Sequence, residues 1–213
     1  MRTALLAGAS GLVGGHLLDL LLSDPRWDRV ISIGRREVER HGARLEQRVV
    51  SLPDVGDLPA VDDAFCALGT TIRKAGSQEA FRVVDHDSVV ALASAARTAG
   101  ADTFLHVTAM GADPGSRLFY NRVKGETERD VSEVGIARTV AFRPSILDGA
   151  RDESRPAEQA GLMMMRAVAP LLGRYRPTRA VDVAAAMVRV ALDEGADLSV
   201  LDAAAITKWA AAI

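Results

Sequence analysis

A glycine-rich segment close to the N-terminus, Gly8–Gly14, places the strongest constraint on the fold of this chain. It lies between an apolar run, Ala4–Ala7, and a helical pattern that begins near His16, with the spacing G-x-x-G-x-x-G rather than G-x-G-x-x-G. The first glycine permits a tight turn, the second lets the backbone approach a pyrophosphate, and the third lets the new helix pack against the preceding strand. The helix N-terminus then offers N–H groups and a partial positive charge to phosphates. We therefore predict a dinucleotide-binding loop whose contact residues are Gly8, Ser10, Gly11, Leu12, Val13 and Gly14.

Apolar runs alternate with helical patterns along most of the 213 residues, which predicts an α/β fold: a doubly wound parallel sheet, or Rossmann fold, with helices on both faces. We expect one NAD(P)-binding domain over residues 1–213, in which residues 144–178 form a small C-terminal segment that covers the substrate. Predicted strands lie near residues 2–7, 29–34, 46–51, 63–68, 102–108 and 137–142, with a short final strand near 198–201. Predicted helices lie near residues 12–23, 78–99, 116–134, 158–172, 181–194 and 203–211.

The composition argues against several functional classes. A net charge of −2 gives none of the basic character of a nucleic-acid-binding domain. No apolar stretch approaches the length of a membrane span, and we expect no signal peptide. Cys66 is the single cysteine, so we expect it to be a core residue of a protein in a reducing, cytoplasmic location. The four histidines show no metal-ligand spacing, and we expect His86 at the surface or in packing rather than in catalysis.

The turn after the second predicted strand favours one nicotinamide cofactor over the other. NAD-binding folds usually place an acidic residue there, which accepts hydrogen bonds from the adenine ribose. Here Gly34 is followed by Arg35 and Arg36. Two planar guanidinium groups suit the oxygens of a 2′-phosphate, so we predict NADP(H) in preference to NAD(H). The alternative is that both arginines are ordinary solvated surface charge.

A second group of residues, Tyr120 and Lys124, begins the helix predicted after the fifth strand. Residues four apart share one helix face, so the Lys124 ammonium is expected to favour the Tyr120 phenolate and to lower the pKa of that tyrosine. Thr108 ends the preceding strand, and we expect its hydroxyl to bind the substrate oxygen. These three residues are the predicted catalytic set, in which Tyr120 exchanges a proton near neutral pH.

With these motifs the chain resembles the short-chain dehydrogenases/reductases of the extended or atypical kind, and more closely the HIV Tat-interacting protein 2-like family of NAD(P)H-binding oxidoreductases. The segments that carry the likeness are Gly8–Gly14, Cys66–Thr71 with Ala75 and Gly76, Gly111–Asp113 with Tyr120–Glu126, and Arg143–Pro144 through Arg151–Pro156. The resemblance implies Tyr120 as proton donor or acceptor and Lys124 on the nicotinamide ribose of NADP(H). The further cofactor contacts that it implies are Leu68, Gly69, Thr70, Thr71, Pro144, Ser145 and Ile146. Thr108 stands where the reductases usually carry serine, and Ala109 removes a possible second hydroxyl.

The sequence leaves three functions open. The first is NADP(H)-dependent hydride transfer to or from a small carbonyl or alcohol substrate. The second is an NADP(H)-binding sensor or scaffold that acts through protein partners with little or no turnover, and the third is an isomerase or epimerase that uses a bound cofactor catalytically. The charged outer face of the Tyr120 helix predicts a monomer or a weak homodimer. The features to which the sequence assigns no role are the Met163–Met165 run, Arg143, Arg151 and Arg155.

Overall fold

The apolar runs of the sequence form parallel strands that lie side by side. The computed structural model describes residues 2–148, 177–193, 195 and 197–212. The strands in these ranges are β1 (Arg2–Ala7), β2 (Trp27–Gly34), β3 (Leu45–Val49), β4 (Asp63–Cys66), β5 (Thr103–Val107), β6 (Arg138–Arg143), β7 (Leu147–Asp148), β8 (Thr178–Arg179) and β9 (Val200–Asp202). The helices are α1 (Leu12–Ser23), α2 (Ile72–Ala75), α3 (Gln78–Arg82), α4 (Ser88–Thr98), α5 (Phe119–Glu133), α6 (Ala180–Leu192) and α7 (Ala203–Ala211), and a π-helical turn, Val83–Asp87, joins α3 to α4.

The main sheet has the order β3-β2-β1-β4-β5-β6-β9, and every neighbouring pair is parallel. The strand order reverses beside β1, which pairs with β2 on one side and with β4 on the other. In such sheets a crevice opens beyond the carboxyl ends of the strands at this reversal, and ligands bind there. The predicted doubly wound parallel sheet is confirmed, and the predicted glycine loop, which follows β1, lies at this crevice.

Helices cover both faces of the sheet and enclose two apolar layers. On one face, Leu17 and Leu21 of α1 belong to the same buried cluster as Met187 of α6. On the other face, Leu92 of α4 and Val131 of α5 are fully buried in a second cluster. The central strands carry nearly continuous apolar runs because neither of their faces meets water. The burial of these side chains fixes α1 and α5, the helices that carry the two motifs, against the sheet.

Most predicted elements lie within a few residues of the observed ones, but the region before β5 differs. The helix predicted near residues 78–99 is divided into α3, the π-helical turn and α4. A π-helical turn closes its hydrogen bonds over five residues, which a search for 3.6-residue periodicity does not reveal. The adjacent Asp85 and His86 in this turn are both buried. The short helix α2 and the pairing of β7 with β8 are also absent from the prediction.

The predicted substrate-side segment, residues 144–178, falls mostly outside the described residues. Its two ends are described, and they meet where Leu147 of β7 pairs with Thr178 of β8. The sequence features that lie outside the described ranges are the helix predicted near 158–172, the Met163–Met165 run, Arg151 and Arg155.

Within the described ranges, no helix is both long enough and apolar enough to cross a membrane. Across the same residues, no three His, Cys, Asp or Glu side chains come together as the ligands of a metal ion would. On the outer face of α5, Arg129, Ser132 and Glu133 are exposed. The exposed residues of this face are polar or charged, as expected from the sequence. The monomer or weak homodimer stays a prediction.

Candidate functional site

Two close backbone approaches shape the glycine loop after β1. Gly8 has a φ of +94°, and a Cβ added there would lie 2.6 Å from the carbonyl group of Ala67, just beyond β4. A Cβ on Gly14 would lie 2.0 Å from the carbonyl oxygen of Gly8. The Gly11 N–H donates to that same oxygen over 2.9 Å and closes the turn. Because side chains are excluded at these points, the loop presents its backbone to the crevice.

The first turn of α1 suits an anion. Its N-cap residue, Gly11, has no side chain that could accept from the first N–H groups, and no acidic residue lies in the first turn. Unpaired N–H groups at a helix start, together with the helix dipole, favour negative charge. Ser10 and Gly11 are exposed, so the turn is accessible. The backbone of this loop therefore fits the pyrophosphate of a dinucleotide.

The end of β2 is basic and open. Arg35 and Arg36 follow directly on Gly34, and both are exposed. Among the described residues, neither guanidinium group has an ion-pair or hydrogen-bond partner. Since β2 neighbours β1, these two arginines lie at the same edge of the sheet as the glycine loop. They are free to meet a negatively charged group at this edge.

Tyr120 lies in the first turn of α5 and rests on an aromatic cluster. Its ring centroid is 5.4 Å from that of Phe81, a fully buried residue of α3. Phe119 packs on the same ring at 5.9 Å. Tyr120 is 37% exposed, so the aromatic contacts fix its ring while part of the residue stays accessible. These contacts orient the residue without covering it.

Lys124 lies one turn after Tyr120 but is only 4% exposed. Its Nζ is 2.8 Å from Oδ1 of Asp85, which lies in the π-helical turn and is 1% exposed. Oδ2 of the same carboxylate accepts the backbone N–H of Thr70 over 2.8 Å. Burial lowers the pKa of Lys124, but the negative charges of Asp85 and of an ionised Tyr120 raise it, and the net direction is upward. The lysine is therefore held as an ammonium group.

Asp85 is a site residue that the sequence analysis missed. It lies four residues after Phe81 and four before Val89, both of which are buried. An acidic residue on an apolar helix face needs a buried partner of opposite charge. Lys124 is one of only three lysines in the chain, so the two unusual residues could have been paired from the sequence.

Thr108, which follows β5, is hydrogen-bonded within the protein. Its hydroxyl donates to Oε1 of Glu128 over 2.5 Å and lies 3.3 Å from the carbonyl oxygen of Phe142. Glu128 lies one turn after Lys124 on α5, and Nε of Arg143, at the end of β6, donates to the same Oε1 over 2.9 Å. In this conformation Glu128 therefore accepts the hydrogen of the Thr108 hydroxyl, and the binding of a substrate oxygen by Thr108 stays a prediction.

The remaining predicted contacts lie where β4 and β6 end. Thr71 caps α2, because its hydroxyl oxygen accepts the N–H of Lys74 over 3.1 Å. Pro144 is buried, whereas Ile146 is 50% exposed. The oxygens of the Ser145 and Thr178 hydroxyls are 2.9 Å apart, which joins the β6 loop to β8. The predicted contacts that line the end of β4 are Leu68, Gly69, Thr70 and Thr71. The rim residues thus surround the crevice as predicted from their strand ends, and their contact with a cofactor stays a prediction.

Two buried side chains lie beneath this rim. Cys66 of β4 and His106 of β5 are paired in the sheet register, and each is 1% exposed. Burial raises the pKa of the Cys66 thiol to about 12, so it remains protonated and its predicted role as a core residue is confirmed. Burial and the positive charge of Lys124 lower the pKa of His106 to about 3, so its ring is neutral. His86 is elsewhere, between Asp87 at 2.7 Å and Asp130 at 2.8 Å, in the packing role expected for it.

Curated fungal proteins share much of this sequence. Fmp52 of Emericella nidulans is 35% identical over 168 residues, which cover 74% of this chain and 72% of that protein. Fmp52 of Aspergillus fumigatus is 35% identical over 184 residues, which cover 82% and 77%. FMP52 of Eremothecium gossypii is 38% identical over 152 residues, which cover 70% and 68%. The chain belongs to the Fmp52 family.

Protein-family models give no match to this member of the Fmp52 family. Solved structures match its fold at low identity. MoeE5 in complex with UDP-glucose and NAD has a TM-score of 0.70 at 18% identity, and the match covers 93% of this chain and 75% of that one. A UDP-glucose 4-epimerase from Thermotoga maritima has a TM-score of 0.71 at 15% identity, with 97% and 81% covered. The chain therefore has the Rossmann-like α/β fold of these proteins.

The family corrects two expectations. The predicted Rossmann fold is confirmed, but the curated relatives are Fmp52 proteins and not the Tat-interacting family. The cytoplasmic location predicted from the sequence is wrong, because these relatives are named as mitochondrial proteins. A lone buried Cys66 excludes an intrachain disulfide, but it does not distinguish one reducing compartment from another.

We expect Gly14→Ala to destabilise the protein by about 1–3 kcal/mol, because the added methyl group would meet a backbone oxygen at 2.0 Å. Gly15→Ala is the matched control on the same helix. Its Cβ would have its nearest neighbour at 3.7 Å, and alanine should stabilise a helix interior by about 0.5–1 kcal/mol relative to glycine. Urea unfolding compares the two variants. Equal stabilities would mean that the loop relaxes and does not require a glycine at position 14.

We expect His106 to make the protein less stable in acid. Its pKa is about 3 in the folded protein, against an ordinary value of 6.5, so the unfolded state binds more protons between these values. The stability contribution is complete above the ordinary pKa and is lost as pH falls towards the folded one. His106→Leu should remove up to about 1.4 kcal/mol per pH unit of this dependence. Denaturant unfolding at about pH 7 and about pH 5 measures it, with the exposed His41→Leu as control. Identical pH slopes in wild type and His106→Leu would contradict the assignment.

Proposed function

We propose that the chain is an NADP(H)-dependent oxidoreductase of the short-chain dehydrogenase/reductase type. The observation that carries the proposal is the placement of Tyr120 and Lys124 one turn apart on α5, in a parallel sheet whose glycine loop after β1 lies at the strand-order reversal. The substrate class is a small carbonyl compound or the corresponding alcohol. The fold supports this class of enzyme, since the similar solved structures include proteins named as complexes with NAD.

The cofactor would lie across the carboxyl edge of the sheet. In this proposal the pyrophosphate lies on the glycine loop and the first turn of α1, because their N–H groups point to that position. The contacts proposed for the rest of the cofactor are Leu68, Gly69, Thr70, Thr71, Lys124, Pro144, Ser145 and Ile146. The bound nicotinamide ring would supply or accept the hydride, and the residues of the chain would position the partners and move the proton.

Tyr120 is the proposed proton donor and acceptor. In the reducing direction its hydroxyl gives a proton to the carbonyl oxygen as the carbon receives the hydride, and in the oxidising direction it takes that proton back. Lys124, an ammonium group one turn away, stabilises the negative charge that this transfer leaves on the phenol oxygen. The aromatic contact with Phe81 holds the ring in place while the proton moves.

Thr108 is the third proposed catalytic residue. Its hydroxyl donates to Glu128, so we propose that it turns towards the substrate oxygen when a substrate is present. Hydroxyl hydrogens rotate readily to suit an available partner, so only the Glu128 contact must be exchanged.

NADP(H) is the proposed cofactor in preference to NAD(H). Arg35 and Arg36 are exposed beside the glycine loop and have no partner among the described residues. Paired guanidinium groups suit a 2′-phosphate, which NAD(H) lacks.

An NADP(H)-binding sensor is the second candidate, and one observation favours it. Thr108 is hydrogen-bonded to Glu128, and alanine at position 109 offers no second hydroxyl for a substrate oxygen. A protein with this arrangement could bind the cofactor and act through partner proteins with little turnover. The isomerase alternative differs from both, because it would regenerate its cofactor rather than consume it.

We expect the wild-type protein to bind NADPH more tightly than NADH, measured through the fluorescence of the reduced ring. The Arg35→Ala/Arg36→Ala variant should lose roughly 10- to 100-fold in NADPH affinity, because charged hydrogen bonds to the 2′-phosphate are removed. Its NADH affinity should not change. Arg26→Ala/Arg29→Ala removes the same charge at the opposite end of β2 and should leave both affinities unchanged. Equal affinity for the two nucleotides would contradict the NADP(H) preference, and binding of neither would contradict the proposed function.

We expect Tyr120→Phe to keep its NADPH affinity and to lose roughly 100-fold or more in turnover, because the proton donor is removed. A panel of aldehydes and ketones, followed by NADPH oxidation, measures turnover, and titration with NADPH shows that the variant site is intact. Tight binding without turnover in the wild-type protein would favour the sensor. Conversion of a substrate without net NADPH oxidation would favour the isomerase.

A further inference from the structure

Asp85 bonds to two different parts of the site through its two carboxylate oxygens and its backbone carbonyl. Oδ1 lies 2.8 Å from Nζ of Lys124 on α5. Oδ2 accepts the N–H of Thr70, in the loop that follows β4, over 2.8 Å. Its backbone carbonyl accepts the hydroxyl of Thr127, on α5, over 2.9 Å. One buried residue therefore joins α5 to the loop at the end of β4.

The π-helical turn gives Asp85 this position. The turn packs against α5, and its consecutive residues Asp85 and His86 both bond to that helix, through Lys124 and Asp130 respectively. Consecutive side chains of a regular α-helix point about 100° apart. In this π-helical turn, the consecutive side chains of Asp85 and His86 both bond to α5. Such turns occur frequently at functional sites.

Charge balance makes the Asp85 contact necessary for Lys124. The ammonium group is almost fully buried, and an unpaired buried charge is strongly unfavourable. The nearby Cys66 thiol is protonated, with a pKa of about 12, and the ring of His106 is neutral, with a pKa of about 3, so neither offsets the charge. Among the described residues, Asp85 is the carboxylate in ion-pair contact with Lys124.

The loop after β4 also lies directly against the carboxylate. A Cβ on Gly69 would lie 3.5 Å from Oδ1 of Asp85, and the next residue, Thr70, donates its N–H to the other oxygen. Gly69, Thr70 and Lys124 are among the contacts that the proposed function assigns to the cofactor beyond its pyrophosphate, and the family resemblance assigns Lys124 to the nicotinamide ribose. All three are therefore fixed relative to a single side chain.

We propose that Asp85 is a positioning residue. Its carboxylate fixes Lys124 and the Gly69–Thr70 loop relative to each other, and so defines the binding site for the nicotinamide half of the cofactor. This inference rests on the proposed function. Asp85 acts through the lysine and the loop, and the adenine half is held by the glycine loop and by Arg35 and Arg36. Loss of the carboxylate charge should therefore weaken binding of the nicotinamide half of the cofactor and leave binding of the adenine half unchanged.

The first test follows the charge of Lys124 itself. The chain has three lysines, so Nζ signals in a ¹⁵N-lysine-labelled protein can be assigned with three Lys→Arg variants. In the wild-type protein the Lys124 signal should remain that of an ammonium group to above about pH 10. In Asp85→Asn its titration midpoint should fall by about one to three pH units, because the buried charge has lost its partner. Asp87→Asn makes the same change two residues away, at a half-exposed side chain, and should leave the signal unchanged.

The second test compares a whole dinucleotide with its adenine half. In Asp85→Asn the affinity for NADPH should fall about tenfold, whereas that for adenosine 2′,5′-bisphosphate should stay within about twofold of wild type. The asparagine oxygen still accepts the Thr70 N–H, so the loop is retained. Asp87→Asn should bind both ligands as the wild-type protein does. Equal weakening of the two ligands, or of neither, would overturn the inference, because a purely structural role affects both halves.

A double variant keeps the test decisive if Asp85→Asn alone does not fold. Asp85→Asn/Lys124→Met removes both charges and leaves no unpaired ion, so it should fold. If Asp85 acts through the lysine, the double variant binds NADPH as tightly as Lys124→Met does. Weaker binding by the double variant would overturn the inference. If the wild-type protein binds no nucleotide, the proposed function fails and the cofactor part of the inference fails with it, while the lysine titration still decides whether Asp85 fixes the charge of Lys124.

Discussion

A buried ammonium group has to be paired, and the pairing of Lys124 with Asp85 determines how the site is assembled. One turn further along α5, Glu128 forms a second ion pair with Arg143 at the end of β6. The same helix face is thus bound to the π-helical turn on one side and to β6 on the other. The loops that follow β4 and β6, which form two walls of the crevice, are held through these two charges. Tyr120 lies in the first turn of this helix, which both pairs help to fix.

Local patterns explain why much of the fold could be predicted from the sequence. The glycine loop, the strands and α1 each depend on neighbouring residues, and three glycines between a strand and a helix allow few alternatives. The contacts of Asp85 and Glu128 join residues that are far apart in the chain. No periodicity reveals the π-helical turn that buries Asp85, and no spacing shows that Glu128 accepts the hydrogen of Thr108. Motifs therefore indicate candidate site residues, whose roles stay predictions, whereas the residues that bond to them, Asp85 and Glu128, were missed.

Sequence motifs did not identify the family of this chain or its cellular location. Binding a nucleotide and transferring a proton require the same kinds of groups in any protein. Many families therefore share a glycine loop, a Tyr-Lys pair and a basic β2 turn. The family is shown by identity to the Fmp52 relatives along most of the chain, and not by these motifs alone. A cellular location is decided by targeting and not by the core, which explains why a buried Cys66 did not predict it.

The pairing of β7 with β8 has a consequence for how proteins of this architecture diversify. Leu147 pairs with Thr178, and the Thr178 N–H donates to the carbonyl oxygen of Ile146, so these two strands are held side by side. This pair is separate from the seven-stranded sheet, so an insertion in the sequence between β7 and β8 need not interrupt any strand pair of that sheet. Relatives could therefore differ in sequence length at this point while they keep the same central scaffold.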